Sequence, residues 1–349
     1  MNKELIIRSH SSAVDFALLK DGKLIELNKE VEDNKFSVGD IFVGKVRKAI
    51  PGLNAAFVNV GHEKDGFLHY HDLGPKLPSL VKYIKQISTG KNKDYLLKQF
   101  RYENDINKDG NIEEVLSPKQ IVLVQVVKEP ISTKGPRLSS EISLAGRFMV
   151  LMPFSDRVSI SQKIESRAEK NRLKKLVQSI RPKGFGLIIR TVAEGQKVAA
   201  LDADIQQLLT RWKNLSIKLK QIDKYPSKVL SEINRSSSIL RDIFDDNFTG
   251  IHVDDAEMQS EIHDYIETIA PDKKSIIKLY DNHLPIFEKF GIERQIKSSF
   301  GTTVSMQKGA YLVIEHTEAL HVIDVNSGNR SNRSKSQEET AMEVNLIAA

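Results

Sequence analysis

GKVRKAIPGLNAAFVNVGHEKDGFL, residues Gly44–Leu68, alternates and turns as a β-meander does. Val46 precedes the basic pair Arg47 and Lys48, Pro51-Gly52 makes a turn, and Ala55, Ala56, Phe57, Val58 and Val60 run into Gly61. A polar connection, Gly61–Gly66, returns the chain to Phe67 and Leu68. Short strands joined by Gly and Pro turns, with aromatics beside lysines, predict a small OB-type barrel. Barrels of this kind stack unpaired bases on aromatic rings and steer phosphates with cations. Phe57 and Phe67 are therefore either base platforms or barrel core. Composition alone leans to core, where most aromatics serve.

Outward from this meander the pattern breaks and resumes. Residues 75–118 carry Lys91, Lys93, Lys98 and Arg101 interleaved with Tyr95, Phe100 and Tyr102, then a polar NDINKDGNIEE stretch. They read as an insertion, partly helical, on one barrel loop. Its charge is either an RNA-facing arm or a solvated surface, and charge runs usually only solvate. KQIVLVQVVK, 119–128, is the clearest strand in the chain and is expected to close the barrel. Lys134-Gly135-Pro136-Arg137 is a basic turn at the barrel exit, and FMVLMP reads as a buried strand. Upstream, ELIIRS and VDFALLK-DG-KLIELN predict paired strands, with Asp21-Gly22 as a hairpin turn. Downstream come an amphipathic helix at 166–180, a buried strand GFGLIIRT, and a helix at 201–222. The apolar face of the second helix carries Leu201, Ile205, Leu208, Leu209, Trp212 and Leu215, so Trp212 is core. Residues 239–300 read as mixed α/β.

At 349 residues, 40% hydrophobic and 28% charged, the chain suits a soluble protein of two or three domains. No apolar run approaches the ~18–20 residues of a membrane span. The N-terminus MNKELIIRSHSSAV has no cleavable signal pattern, so a cytoplasmic location is expected. The absence of cysteine excludes disulfides and cysteine-based zinc sites within the chain. Nine histidines are scattered without a metal-binding spacing. The net charge of +6 favours a polyanionic partner.

YLVIEHTEALHVIDVNS, 311–327, predicts a β-hairpin about Thr317-Glu318. Asp324 and Asn326 are two apart and share one face of its second strand, while Ile323 and Val325 are expected to enter a core on the other, with His321 beside them as a structural residue. A carboxylate and an amide oxygen at a strand end can hold a hard cation such as magnesium. They equally suit plain turn chemistry. Arg330, Arg333 and Lys335 follow at once and are placed to meet phosphates.

GKV, AAFVNVG and DGFLH together closely resemble the S1-type RNA-binding domain of bacterial ribonucleases of the E/G family. ISLAG, GLIIRT, LYDNHLPIFEKFGIERQI, TEALHVIDVNSG and SQEETAMEVNLIAA resemble that family's catalytic region, in its order. The resemblance implies an α+β multidomain fold. Residues 1–37 and 239–300 form a split RNase H-like subdomain, 38–140 an S1-type OB barrel with the insertion at 75–118, 141–238 a 5′-sensor region, and 301–349 the start of a DNase I-like catalytic domain. It implies that Phe57 and Phe67 form an RNA-binding aromatic surface and that Lys134 contacts RNA. It implies that Arg190 and Thr191, with the backbone at Gly146 and Val150, bind an RNA 5′-monophosphate. Asp324 matches the first of two magnesium-binding aspartates, and Asn326 a catalytic asparagine. A second aspartate some forty residues on, and a later zinc link that pairs subunits, belong to a continuation this chain lacks, so a truncated chain is expected. The implied activity is Mg2+-dependent endonucleolytic cleavage of single-stranded RNA in rRNA processing and mRNA decay, by a cytoplasmic enzyme that forms homo-oligomers at full length. A non-catalytic RNA-binding fragment of such an enzyme is the alternative. An S1-type translation or transcription factor has no need of ISLAG, GLIIRT or DVNS.

Overall fold

A computed structural model describes residues 2–11, 13–31, 35–91, 94–231, 235–245, 247–328 and 336–349. Lys93, Arg330, Arg333 and Lys335 lie outside them. The fold is mixed α+β, and the chain divides into two compact units, Met1–Glu32 with Asp246–Ala349, and Asp33–Asp245. No helix among the described residues is long and apolar enough to cross a membrane.

The first unit is built on a five-stranded sheet in the order Ile277–Leu279, Phe248–Val253, Lys3–Ser9, Ala13–Lys20, Lys23–Val31. Its first three strands are parallel and the rest antiparallel. Asp21 and Gly22 both take positive φ, 49° and 77°, as a type I′ hairpin turn requires. Ala13–Lys20 is buried on both faces, which explains its nearly unbroken apolar run. The helix Ala256–Ile269 starts at Asp255, whose carboxylate accepts the Met258 N–H at 2.8 Å. A separate three-stranded antiparallel sheet follows, Thr303–Ser305, Tyr311–His316 and His321–Asn326. Thr317 N–H and Leu320 O close its hairpin at 2.9 Å, where Thr317-Glu318 predicts the turn.

One expectation fails in this sheet. Ile323 and Val325 are not core: they are 57% and 39% exposed. His321 is exposed too, with its ring edge-on to His316 at 4.3 Å. Alternation tells which side chains share a face. It does not supply the layer that covers that face.

The second unit holds a closed five-stranded barrel, Ile41–Ile50, Ala55–Asn59, Gly66–His69, Arg137–Ser139 and Ile121–Lys128, with Ser227–Leu230 added beside its first strand. Ile121–Lys128 closes it, pairing with both Ile41–Ile50 and Arg137–Ser139. Val46, Ala56, Val58, Leu68, Val122, Val124 and Leu138 fill the interior. A second sheet follows in the order Val158–Ile160, Phe185–Ile189, Met149–Pro153, Leu144–Ala145. Met149–Pro153 is buried on one face only, not on both. The helices Arg167–Ile180 and Val198–Lys220 contribute Leu173, Val177, Leu201, Ile205, Leu208 and Trp212 to the same core as Leu151, Leu187 and Ile189 of this sheet.

The 75–118 segment is partly helical and lies between two barrel strands, with Lys91, Lys98 and Arg101 exposed as a solvated charge run would be, but it also carries core. Its helix, Leu77–Ser88, buries Leu80, Tyr83, Ile84 and Ile87, and the chain beyond it buries Leu97 and Phe100. These side chains join Ile41, Val43 and Leu123 of the barrel wall to Phe154, Phe185 and Trp212 in one continuous core. Tyr83 stacks on Trp212 with ring centroids 5.6 Å apart. Tyr83 and Ser216 hydroxyls bond at 2.8 Å, and Trp212 Nε1 donates to Tyr95 O at 2.9 Å. Lys85, Lys91 and Lys98 are exposed, so a charged composition conceals an amphipathic one.

Candidate nucleic-acid interface

Phe57 and Phe67 are direct partners across adjacent barrel strands. Period-two alternation sends Ala56, Val58 and Leu68 into the barrel and leaves the two phenylalanines half-buried on the outside. Their rings meet edge-to-face, 5.8 Å between centroids. Lys48, opposite Phe57 in register, holds its ammonium 5.3 Å from that ring's centroid. The aromatic row continues through His69, 6.4 Å from Phe67, to His71, 5.1 Å further. The reading of the sequence missed His69, although its place two residues after Phe67 on a strand puts it on the same face. Lys134 is exposed in a tight turn, in which Ile131 and Lys134 exchange backbone hydrogen bonds of 3.2 and 3.0 Å. That turn leads into Arg137–Ser139, whose Arg137 lies beside Phe67.

The second cluster lies at the edge of the other sheet. Gly146 is buried, and Val150, Arg190 and Thr191 are half-buried. Arg190 Nη1 donates to Gly146 O at 2.9 Å, so the two are brought together. Val150 stands on the adjoining strand, paired with Ala145 and Ile188. Thr191 Oγ1 shares a 2.8 Å hydrogen bond with Ser161 Oγ. Two further arginines converge on the turn: Arg211 and Arg241 each donate to Ala145 O, at 3.0 and 3.2 Å. Asp204, buried beneath it, accepts the backbone N–H groups of Arg147, Phe148 and Met149 at 3.0, 3.0 and 2.9 Å. Burial pushes the Asp204 carboxyl above the usual carboxylate range, against the pull of those N–H groups and of the Arg190 charge. Guanidinium, hydroxyl and backbone groups gathered at one edge are the donor types that phosphate recognition uses. A cavity of about 460 Å³ elsewhere in this unit is lined by Leu80, Met152, Phe154, Arg157 and Ile188 among others, and contains neither Gly146 nor Arg190.

In the three-stranded sheet, Asp324 and Asn326 share a face with their cross-strand partners Val313 and Tyr311. Asp324 is exposed, and Asn326 Nδ2 donates to its Oδ2 at 2.9 Å. That bond orients the carboxylate. An oxygen donor in water suits a hard divalent cation that keeps most of its hydration shell. Asn326 turns its N–H₂ to the carboxylate, so it is the carboxylate oxygens of Asp324 that face outward as acceptors. Among the described residues, one group of three potential metal ligands lies close together, His263, Asp264 and Glu267 on Ala256–Ile269. Glu267 there is paired with Lys274 at 3.0 Å on the surface, and Asp324 is not part of the group.

The ribonuclease E/G family model matches residues 143–349. The chain is 33% identical over 347 residues to ribonuclease G of Haemophilus influenzae, covering 99% of this chain and 66% of that protein. It is 34% identical over 353 residues to ribonuclease E of Nostoc sp., covering 100% and 47%. It is 32% identical over 329 residues to ribonuclease G of Escherichia coli, covering 94% and 63%. The chain thus spans about half to two thirds of the length of these curated relatives.

Proposed function

Because the chain belongs to the ribonuclease E/G family, we propose that it is a cytoplasmic, magnesium-dependent endoribonuclease acting on single-stranded RNA in rRNA processing and mRNA decay, with a preference for 5′-monophosphorylated ends. The observation that carries the catalytic part is the exposed Asp324 carboxylate steadied by Asn326. Asp324 holds the magnesium ion. The ion, when bound, supplies Lewis-acid polarisation of the scissile phosphate and a more acidic water. Asn326 keeps the carboxylate aimed, Phe57 and Phe67 hold the strand by stacking, and Lys134 neutralises phosphate beside them. Arg190 and Thr191, with the backbone of Gly146 and Val150, receive the 5′-monophosphate. In this reading the first unit is the split RNase H-like subdomain with the beginning of the DNase I-like domain, its strand order supporting the former. The second is the S1-type barrel with the 5′-sensor region.

The test compares the full chain with Asp324→Asn on a fluorescent single-stranded oligonucleotide. Cleavage is followed with Mg2+ and with EDTA, and affinity is measured in EDTA. Cleavage that needs Mg2+ and vanishes in the variant, at unchanged affinity, is the expected result. Cleavage retained by Asp324→Asn removes Asp324 from the mechanism. Tight binding without cleavage by either protein makes this chain an RNA-binding polypeptide that lacks catalysis by itself.

A further inference from the structure

We propose that Asp204 is a positioning residue of the 5′-phosphate site, an anion built into the fold that shapes the turn on which the site is assembled. The proposal rests on the reading of Gly146, Val150, Arg190 and Thr191 as that site.

The turn joins Leu144–Ala145 to Met149–Pro153. Gly146 N–H donates to Met149 O at 2.8 Å, as in an ordinary hairpin. The two groups that would complete the ring are engaged by side chains instead. Met149 N–H goes to Asp204 Oδ2 at 2.9 Å, and Gly146 O accepts Arg190 Nη1 at 2.9 Å. Arg147 and Phe148 N–H point the same way, to Oδ1 and Oδ2 at 3.0 Å each. Three successive N–H groups converging on one point form an anion nest. Here the anion is the protein's own, buried on the helix Val198–Lys220.

Two consequences follow. The nest is filled, so an external phosphate is not drawn to the N–H groups of Arg147, Phe148 and Met149 and is left to Arg190 and Thr191 with the backbone lining at Gly146 and Val150. The turn is also held at the height where its Gly146 carbonyl braces the Arg190 guanidinium. Gly146 permits this closeness: a Cβ there would stand 2.7 Å from both Asp204 carboxylate oxygens. Asp204 therefore acts on the ligand through the turn and through Arg190, without touching it.

The discriminating readout is a ratio, the affinity for a 5′-monophosphorylated oligonucleotide over that for its 5′-hydroxyl twin. A merely structural residue lowers both affinities; a positioning residue lowers the first alone. The full chain is titrated in EDTA as wild type, Asp204→Asn, Gly146→Ala and Arg190→Ala. Emission of Trp212, the only tryptophan, reports the integrity of the helix that carries Asp204. Asp204→Asn is expected to reduce the ratio roughly 10- to 100-fold, the scale of one lost charge-assisted contact, with 5′-hydroxyl affinity unchanged. Gly146→Ala, whose methyl displaces the carboxylate, is expected to do the same. A folded Asp204→Asn that keeps the wild-type ratio overturns the proposal. If Asp204→Asn fails to fold, Gly146→Ala decides, and a retained ratio there overturns it equally. Arg190→Ala separates the two levels. A ratio that collapses in Arg190→Ala but not in the other variants defeats the role of Asp204 alone. A ratio unchanged in Arg190→Ala defeats the 5′-phosphate reading and this proposal with it.

Discussion

Trp212 and Asp324 stand in opposite surroundings. Trp212 is wholly buried, stacked on Tyr83, edge-on to Phe154 and Phe185, and hydrogen-bonded to Tyr95 O. In the same unit the side chains proposed to meet RNA are cross-braced: Arg190 on Gly146, Thr191 on Ser161, the turn on Asp204. Asp324 is exposed on a strand whose apolar neighbours are open as well, and the bond from Asn326 steadies its carboxylate. The proposed recognition site is held in place by these contacts, and pre-organisation lowers the ordering cost of binding. The carboxylate proposed for chemistry is held locally and meets water directly, so a cation there exchanges only part of its hydration shell.

The largest effects test that contrast through stability. Trp212→Ala is expected to cost about 3–5 kcal/mol, the range for deleting a large buried aromatic. Ile323→Ala, at a residue 57% exposed, is expected to cost less than about 1 kcal/mol, as surface substitutions do. Urea unfolding followed by far-ultraviolet circular dichroism measures both. A loss at Ile323 as large as at Trp212 shows that the face of the three-stranded sheet is covered in solution, and the contrast breaks.

Next in size is binding. Phe57→Ala or Phe67→Ala is expected to weaken single-strand affinity by about 1–3 kcal/mol, one stacked base each. Because the rings are half-buried on the outside of the barrel, stability is expected to fall by much less than at Trp212. Fluorescence anisotropy titrations at two salt concentrations give the affinity and its counterion dependence. Unchanged affinity in both variants, with a large loss of stability, assigns the rings to packing.

What could be read in the sequence follows the range of the forces involved. Period-two alternation and Gly-containing turns announced the barrel, and Asp21-Gly22 its hairpin, because both are decided within a few residues. The start of the 166–180 helix was legible for the same reason: Ser166 caps its own helix. The core carried by the 75–118 segment was not legible because Tyr83, Leu97 and Phe100 find Trp212 and Phe154 only in three dimensions, while the charged residues between them dominate the composition. The outward apolar face at Ile323 was misread because a strand pattern does not contain its covering layer. Asp204 was overlooked although a signal existed. It falls between Leu201 and Leu208 on the apolar stripe of its helix, and a lone carboxylate there must be buried with partners. Ser161 had no such signal. Phe57, Phe67, Lys134, Gly146, Val150, Arg190, Thr191, Asp324 and Asn326 came from motif resemblance, since composition and spacing alone left each with an ordinary alternative.

The smallest effect sharpens the contrast from the side of the braced unit. Arg172 donates to both Glu169 carboxylate oxygens at 2.6 Å, and Gly195 N–H donates to one of them at 2.8 Å. The Arg172 bonds first, and the Gly195 bond second, pull the Glu169 carboxyl from its ordinary 4.5 down to about 2. A carboxyl depressed by folding stabilises the native state above its unfolded value, and that contribution is lost as pH falls through the folded one. The clip therefore acts fully above about pH 4.5 and fades toward about pH 2. As a surface pair it is worth less than about 1 kcal/mol. Comparing wild type with Glu169→Gln in urea at pH 6, 4 and 3 isolates it. The subtraction also cancels Asp204, whose carboxyl burial shifts upward and which favours the native state in the opposite direction. The stability gap between the two proteins is expected to narrow as pH falls. A gap that stays constant assigns Glu169 an uncharged packing role, and the link from Arg167–Ile180 to the Gly195 loop is then held by contacts other than this ion pair.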